Sequence, residues 1–151
     1  QRTPTYGRLD VMDWTLEVVV VPVSDVDRAK QFYAEGLGFA VDHDTAIEGV
    51  GRIVQLTPPG SGCSIVIGNG LVPSMPPGSL KGLQLVVADV TQARAELVAR
   101  GVQVSDIVTL GTSPSSTPHP LDNVGFIFLE DPDGNGWAIQ QISARGARPG
   151  T

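Results

Sequence analysis

This chain has little with which to cross-link itself or hold a metal. Its one cysteine, Cys63, excludes an intrachain disulfide and a cysteine-only zinc site. That usage fits a reducing compartment. Only two histidines occur, His43 and His119. Basic residues are also scarce: ten Lys and Arg against sixteen Asp and Glu give a formal charge of −6. With no basic stripe, the chain is not expected to bind nucleic acid or an anionic membrane surface. No apolar run approaches the roughly 18 residues of a bilayer span, and no secretory signal is legible. The cytoplasm is therefore the expected location. Aromatic residues make up only 5% of the chain, so each one is a candidate for a specific role.

Turn-forming residues are plentiful, with 18 glycines and 12 prolines. At 41% apolar, the chain can bury a core without metals or disulfides. The sharpest turn is Glu130-Asp131-Pro132-Asp133-Gly134-Asn135-Gly136-Trp137, set between the apolar runs Phe126 to Leu129 and Trp137 to Ile142. Proline presets the turn backbone, and Gly and Asn accept positive φ, so a hairpin is predicted. Thr57-Pro58-Pro59-Gly60-Ser61-Gly62-Cys63 forms a similar punctuated turn 74 positions earlier. Two such hairpins in one short chain indicate a duplicated module.

The rest of the chain supports the duplication. Leu16 to Val23 reads as a strand, rich in β-branched residues and buried on both faces. Ser24-Asp25-Val26-Asp27 opens a helix, with Val26, Ala29, Phe32 and Tyr33 on one face and Gly36 and Gly38 ending it. Strands follow at Phe39 to His43, Gly51 to Leu56 and Cys63 to Ile67. After a Pro/Gly-rich stretch the order repeats. Leu83 to Val87 is a strand, Asp89-Val90 starts a helix stopped by Gly101, and Val102 to Val108 is a strand before the final hairpin. The helix starts are 64 apart (89 − 25) and the hairpins 74, so the second copy carries a net insertion of about ten residues, mostly in the loop Thr109 to Asn123. Such a loop is either a functional lid or a mobile connection. The expected organisation is an N-terminal extension over 1–12, a first βαβββ module over 13–69, a linker over 70–79, a second module over 80–144 and a flexible tail over 145–151.

Val19-Val20-Val21-Pro22-Val23-Ser24-Asp25, Ala29-Lys30-Gln31-Phe32-Tyr33 and Leu37-Gly38-Phe39 resemble the first module of the vicinal oxygen chelate superfamily. That group includes glyoxalase I, bleomycin-resistance proteins and extradiol dioxygenases. Leu129 to Gly136 is similar to its second-module hairpin. The resemblance covers about residues 14–143. It implies an α+β fold in which two βαβββ modules curl half-barrel sheets around a cavity, and a homodimer. Its metal-dependent members place a ligand on the first and last strand of each module. By that alignment the four positions here are Val18, Ser64, Gly82 and Ala138, none an ordinary ligand for zinc, nickel, iron or manganese. A one-residue slip brings in Glu17 but elsewhere reaches Leu83, Trp137 or Ile139. No metal and no cofactor are therefore expected. A site from His43, His119 and a carboxylate is arithmetically possible. The plainer reading is a strand-end and a loop histidine.

Strand alternation extends the cavity list from the positions the resemblance names. Val18 and Val20 face inward on the first strand, Ser64 on the fourth, Gln84 on the first strand of the second module, and Ala138 and Gln140 on the last. On the penultimate strands, hairpin-to-hairpin alignment pairs Arg52 and Val54 with Phe126 and Phe128, all taken as inward. Gln55 falls on the opposite parity and reaches the cavity only through a bulge. Phe126 and Phe128 are candidate stacking residues, with Trp14 and Trp137 as alternatives, and Trp137 is otherwise a packing or dimer-contact residue. Asp131 and Asp133 read as turn formers rather than catalytic acids. Cys63 and the Ser/Thr clusters of the 109–123 loop have no base placed beside them by sequence.

The leading expectation is a metal-independent small-molecule-binding protein, for an antibiotic or aromatic natural product, resembling the bleomycin-resistance branch. The alternative is a metal-free isomerase, cyclase or lyase using His43, His119, Glu48, Arg52 or Glu130. A metal-dependent glyoxalase or dioxygenase is third, and a purely structural dimerisation module fourth.

Overall fold

A computed structural model describes residues 11–117 and 119–146. Most of the expected N-terminal extension, and the tail from residue 147, lie outside the described residues. The first module contains β1 (Val18–Val20), α1 (Val26–Gln31), β2 (Ala40–Ile47), β3 (Gly51–Thr57) and β4 (Ser64–Asn69). The second contains β5 (Leu83–Val87), α2 (Val90–Ala99), β6 (Val108–Thr109), β7 (Gly125–Glu130) and β8 (Gly136–Gln141), closed by a 3₁₀ turn over Ser143–Gly146. Each builds a four-stranded sheet, ordered β1-β4-β3-β2 and β5-β8-β7-β6. In both, the first and last strands pair in parallel and the other ladders are antiparallel. The fold is α+β with two matching modules.

Both helices start on an aspartate. Asp25 and Asp89 are extended, and each side chain accepts a hydrogen bond from the backbone N–H three residues on, at 3.0 Å. The cap of α1 is thus Asp25, one residue after the serine that the sequence pattern suggests. Ser24 is released for another contact, described below. The last turn of α1 widens to a π-helix over Phe32–Gly36, where the Leu37 N–H reaches the Phe32 carbonyl.

Three strands differ from the sequence expectation. β1 is only Val18–Val20 against the expected Leu16 to Val23, and its residues are half-buried rather than buried on both faces. β2 is longer, running on to Ile47, with a bulge between Val41 and His43. β6 is only two residues. Before it, Ser105 does the pairing locally: its N–H bonds the Phe128 carbonyl at 2.9 Å, and its hydroxyl accepts from the Phe128 N–H at 2.9 Å. A side chain there replaces one rung of the ladder.

The core lies between the sheets, on their helix-facing sides. Val54, Leu56, Ile65 and Ile67 of the first sheet join Ile127, Leu129, Trp137 and Ile139 of the second, with Tyr33 and Leu97 from the helices. Tyr33, Phe39 and Trp137 cluster within 5.9 Å of one another by ring centroid.

A polar network inside this core ties the modules together. Asp131, 4% exposed, accepts on one oxygen from the N–H groups of Asp133 and Asn135, both at 2.9 Å. Its other oxygen accepts from the Asn135 amide at 2.8 Å and the Tyr33 hydroxyl at 2.7 Å. Trp137 Nε1 donates to the Tyr33 oxygen at 2.9 Å. The Asn135 amide also bonds the Pro22 carbonyl at 2.8 Å and accepts from the Leu80 N–H at 3.0 Å. Ser24, freed from capping, donates its hydroxyl to Asp133 at 2.6 Å. Gly78 passes so close that a Cβ there would stand 2.0 Å from the Asp133 carbonyl oxygen, and its φ of 79° suits only glycine. The acidic turn is a structural hub, as a turn-forming role implies. Burial, then the Asp131 hydrogen bond, raises the Tyr33 pKa, so the phenol stays protonated as a donor.

Removing the carboxylate strands several buried donors at once. Asp131→Ala should lower unfolding free energy by about 3 kcal/mol or more, and Tyr33→Phe, which leaves Asp131 its other donors, by about 1–2 kcal/mol. Urea denaturation of both variants measures the difference, and equal losses would contradict the hub.

Candidate functional site

The side of each sheet turned away from the helices is its concave face; on the first sheet Ser64 and Val66 are buried there, whereas on the second Gln84 and Phe128 are exposed. On the first sheet, Val18 pairs with Ser64 and Val20 with Val66. Gln55 also pairs with Val66, so it shares this face without any bulge in β3. On the second sheet, Gln84 pairs with Ala138, which pairs with Phe128, and Val86 pairs with Gln140, which pairs with Phe126. The sequence candidates Val18, Val20, Gln55, Ser64, Gln84, Phe126, Phe128, Ala138 and Gln140 therefore stand on concave faces.

Arg52 and Val54 do not. Val54 is fully buried in the core on the opposite side of β3. The cause is the loop length. After the turn the modules align with an offset of 74 (140 − 66), but before it with 71 (126 − 55). The odd difference of three residues reverses every side chain along β3 relative to the inferred alignment. Arg52, on the Val54 side, forms a surface ion cluster. It bonds both oxygens of Asp44 at 2.9 and 2.8 Å and Asp27 at 2.6 Å, while Lys30 reaches Asp44 at 2.7 Å. Trp137 likewise faces the core at 4% exposure, which assigns it to packing.

The two concave faces differ in chemistry. The first carries an ordered chain of hydroxyls. Thr57 donates to Asp42, so the 2.6 Å contact between Ser64 and Thr57 has Ser64 as donor, and the Gln55 amide donates to Ser64 at 3.3 Å. This directs all the hydroxyl protons toward Asp42. The second face carries Phe126 and Phe128, stacked 6.1 Å apart and within 6° of parallel. Phe128 is 39% exposed, high for its size. Beside them Gln84 donates to Gln140 at 2.8 Å, and Gln140 donates to the Asn123 carbonyl at 2.8 Å. A cavity of about 370 Å³ opens here, with Gly82, Phe128 and Ala138 in its wall. That lies within the range of small-molecule sites. Nothing stands within 4 Å of where a Gly82 Cβ would be, and its φ of 89° also calls for glycine. A larger cleft of about 900 Å³ between the ends of α1 and α2, edged by Glu35, Arg100 and Gln103, gathers none of the sequence candidates.

The four positions that would carry a metal present two apolar side chains, a glycine and one hydroxyl, and that hydroxyl is already committed to Thr57 and Gln55. This donor set does not fit a divalent transition metal. Nor does the structure gather the acid–base candidates. His43 lies on exposed β2, while His119 accepts from the Leu121 N–H at 3.0 Å in its own loop. Glu130 sits 3.8 Å from Lys81 at the surface.

The family model for the Glyoxalase/Bleomycin resistance protein/Dioxygenase superfamily matches residues 15–139. The chain belongs to this superfamily. Among solved structures of similar fold, TnmS3, an antibiotic binding protein from Streptomyces sp. CB03234, is 36% identical with a TM-score of 0.66, covering 88% of this chain and 99% of that one. A glyoxalase/bleomycin resistance protein from the same strain is 37% identical with a TM-score of 0.63, covering 84% and 100%. A superfamily member from Sphaerobacter thermophilus DSM 20745, at 24% identity and TM-score 0.63 over 87% and 99%, shares the fold. No curated protein matches the chain.

The ion cluster around Arg52 implies an acid-side sensitivity. Its hydrogen bonds, then those of Lys30, hold the Asp44 carboxyl well below the usual carboxylate range. A carboxyl whose folded pKa is depressed stabilises above its unfolded value, and that stability is lost as pH falls through the folded one. Asp44→Asn should therefore flatten the fall in urea midpoint between pH 5 and 2 while changing the neutral-pH fold little. An unchanged acid limb would exclude the cluster from acid stability.

Proposed function

We propose that this superfamily member is a metal-independent small-molecule-binding protein that takes a planar aromatic compound, of antibiotic or natural-product type, on its concave faces. The observation that carries the reading is the chemistry of the four metal positions. Val18, Ser64, Gly82 and Ala138 make no ligating set, and Gly82 and Ala138 border a cavity whose wall also holds Phe128, stacked on Phe126. Gln84 and the Ser64 chain offer polar groups to orient a bound molecule. The likeness to TnmS3 supports the same reading, since that relative binds an antibiotic.

A single chain leaves the second sheet's concave face exposed at Gln84 and Phe128, and we propose that a second copy closes it. All eight residues of β2 are exposed, including Val41 and Ile47; Phe128 is exposed on the second concave face, and Trp14 and Leu16 are exposed ahead of β1. Apolar groups in such number on strand edges fit a surface covered by another subunit.

Phe126→Ala and Phe128→Ala should each weaken binding of a planar aromatic probe about three- to tenfold, from the roughly 0.5–1.5 kcal/mol of an aromatic contact. Titration calorimetry with light scattering on the same samples reads affinity and mass together. Unaltered affinity in both variants, or no saturable binding to any member of a broad aromatic panel, would refute the assignment of the cleft.

A further inference from the structure

We infer that the ligand of this cleft is an anion, and that Arg145 is its counter-ion. The inference rests on the binding reading above and adds a charge requirement to it. Next to the apolar cavity, a second cleft of about 470 Å³ is bordered by Gln84 and Val86 of β5, by Pro58 and Ser61 of the first-module turn, and by Arg145. Gln84 and Val86 share one face of β5 at a step of roughly 6.5 Å, and Gly82 stands just before the strand, two residues from Gln84. The apolar cavity touches Gly82 and the second cleft touches Gln84 and Val86, so the two are adjoining stations along one strand. A ligand stacked near Phe128 reaches Arg145 by extending along β5.

Arg145 is unlike the other cations. Arg28, Lys30, Arg52, Lys81, Arg94 and Arg100 each form an ion pair with a carboxylate. Among the described residues the guanidinium of Arg145 forms none, in a chain that carries sixteen acidic groups against ten basic ones. Its position is nevertheless built. The 3₁₀ turn that carries it hangs from buried Asp122, which accepts from the Ser143 N–H at 2.9 Å, the Ser143 hydroxyl at 2.6 Å and the Gln141 amide at 3.0 Å. Gln141 in turn accepts from the Val90 N–H at the start of α2, at 3.0 Å. A fixed turn thus presents an uncompensated guanidinium at the rim of a cleft whose other polar side chains, Gln84 and Ser61, carry no charge. A planar fork of donors suits a carboxylate or another anionic oxygen. The implied ligand is an aromatic body with an acidic group at one end.

Anthraquinone-2-carboxylate and its neutral carboxamide form a matched pair of probes for the full-length protein. By calorimetry the carboxylate should bind on the order of ten- to a hundredfold more tightly, with the preference shrinking as salt is added. Arg145→Gln should abolish the preference by weakening the carboxylate far more than the carboxamide. Equal binding of the two probes by the unaltered protein, or a preference that survives Arg145→Gln, overturns the inference while the aromatic cleft stands. So does an Arg145→Gln variant that changes only the self-association measured by light scattering, since that assigns the cation to a subunit contact. Failure of both probes to bind removes the aromatic cleft and the anion requirement together.

Discussion

The fold depends on one buried carboxylate. Asp131 collects four donors, from its own turn and from Tyr33 of the other module, and through Asn135 and Asp133 the same turn grips the end of β1, the linker and the start of α1. A buried charge is tolerated only when its acceptor capacity is filled, and here the filling groups come from both halves of the chain. Two modules that each pair their own strands are thereby held in one arrangement around a shared core.

That arrangement determines what the concave faces can do. Because the helix-facing sides of both sheets are used for the core, the opposite sides are available for other chemistry, with a hydroxyl chain on one sheet and an aromatic pair on the other. The superfamily frame is retained while the groups that would hold a metal are replaced by small or apolar ones. Fold and chemistry are separable in this way because the core residues and the concave residues alternate along the same strands, so either set can change with little effect on the other.

Much of this was legible before any coordinates. The paired turns, the aspartate helix starts and the apolar runs marked two modules, and the residues at the four metal positions already argued against the usual chemistry. Asp131 and Asp133 were read as turn formers, and Asp131 makes the local hydrogen bonds that such a role requires. What could not be read was the breadth of their reach, because Tyr33 lies 98 residues from Asp131 in sequence.

By itself, then, the sequence determined the modules, the helix starts to within a residue, most strand positions and the identity of the side chains at the four metal positions, because these follow from local backbone preferences and periodicity. Tertiary structure alone decided which side of β3 meets the cavity, sending Val54 into the core, Arg52 into an ion cluster and Gln55 to the concave face. Register in a hairpin is set by how many residues the turn consumes, and three more or fewer reverses the strand. It also decided that Arg145, beyond the last strand, comes back to the edge of β5, since that contact depends on where buried Asp122 anchors the final turn.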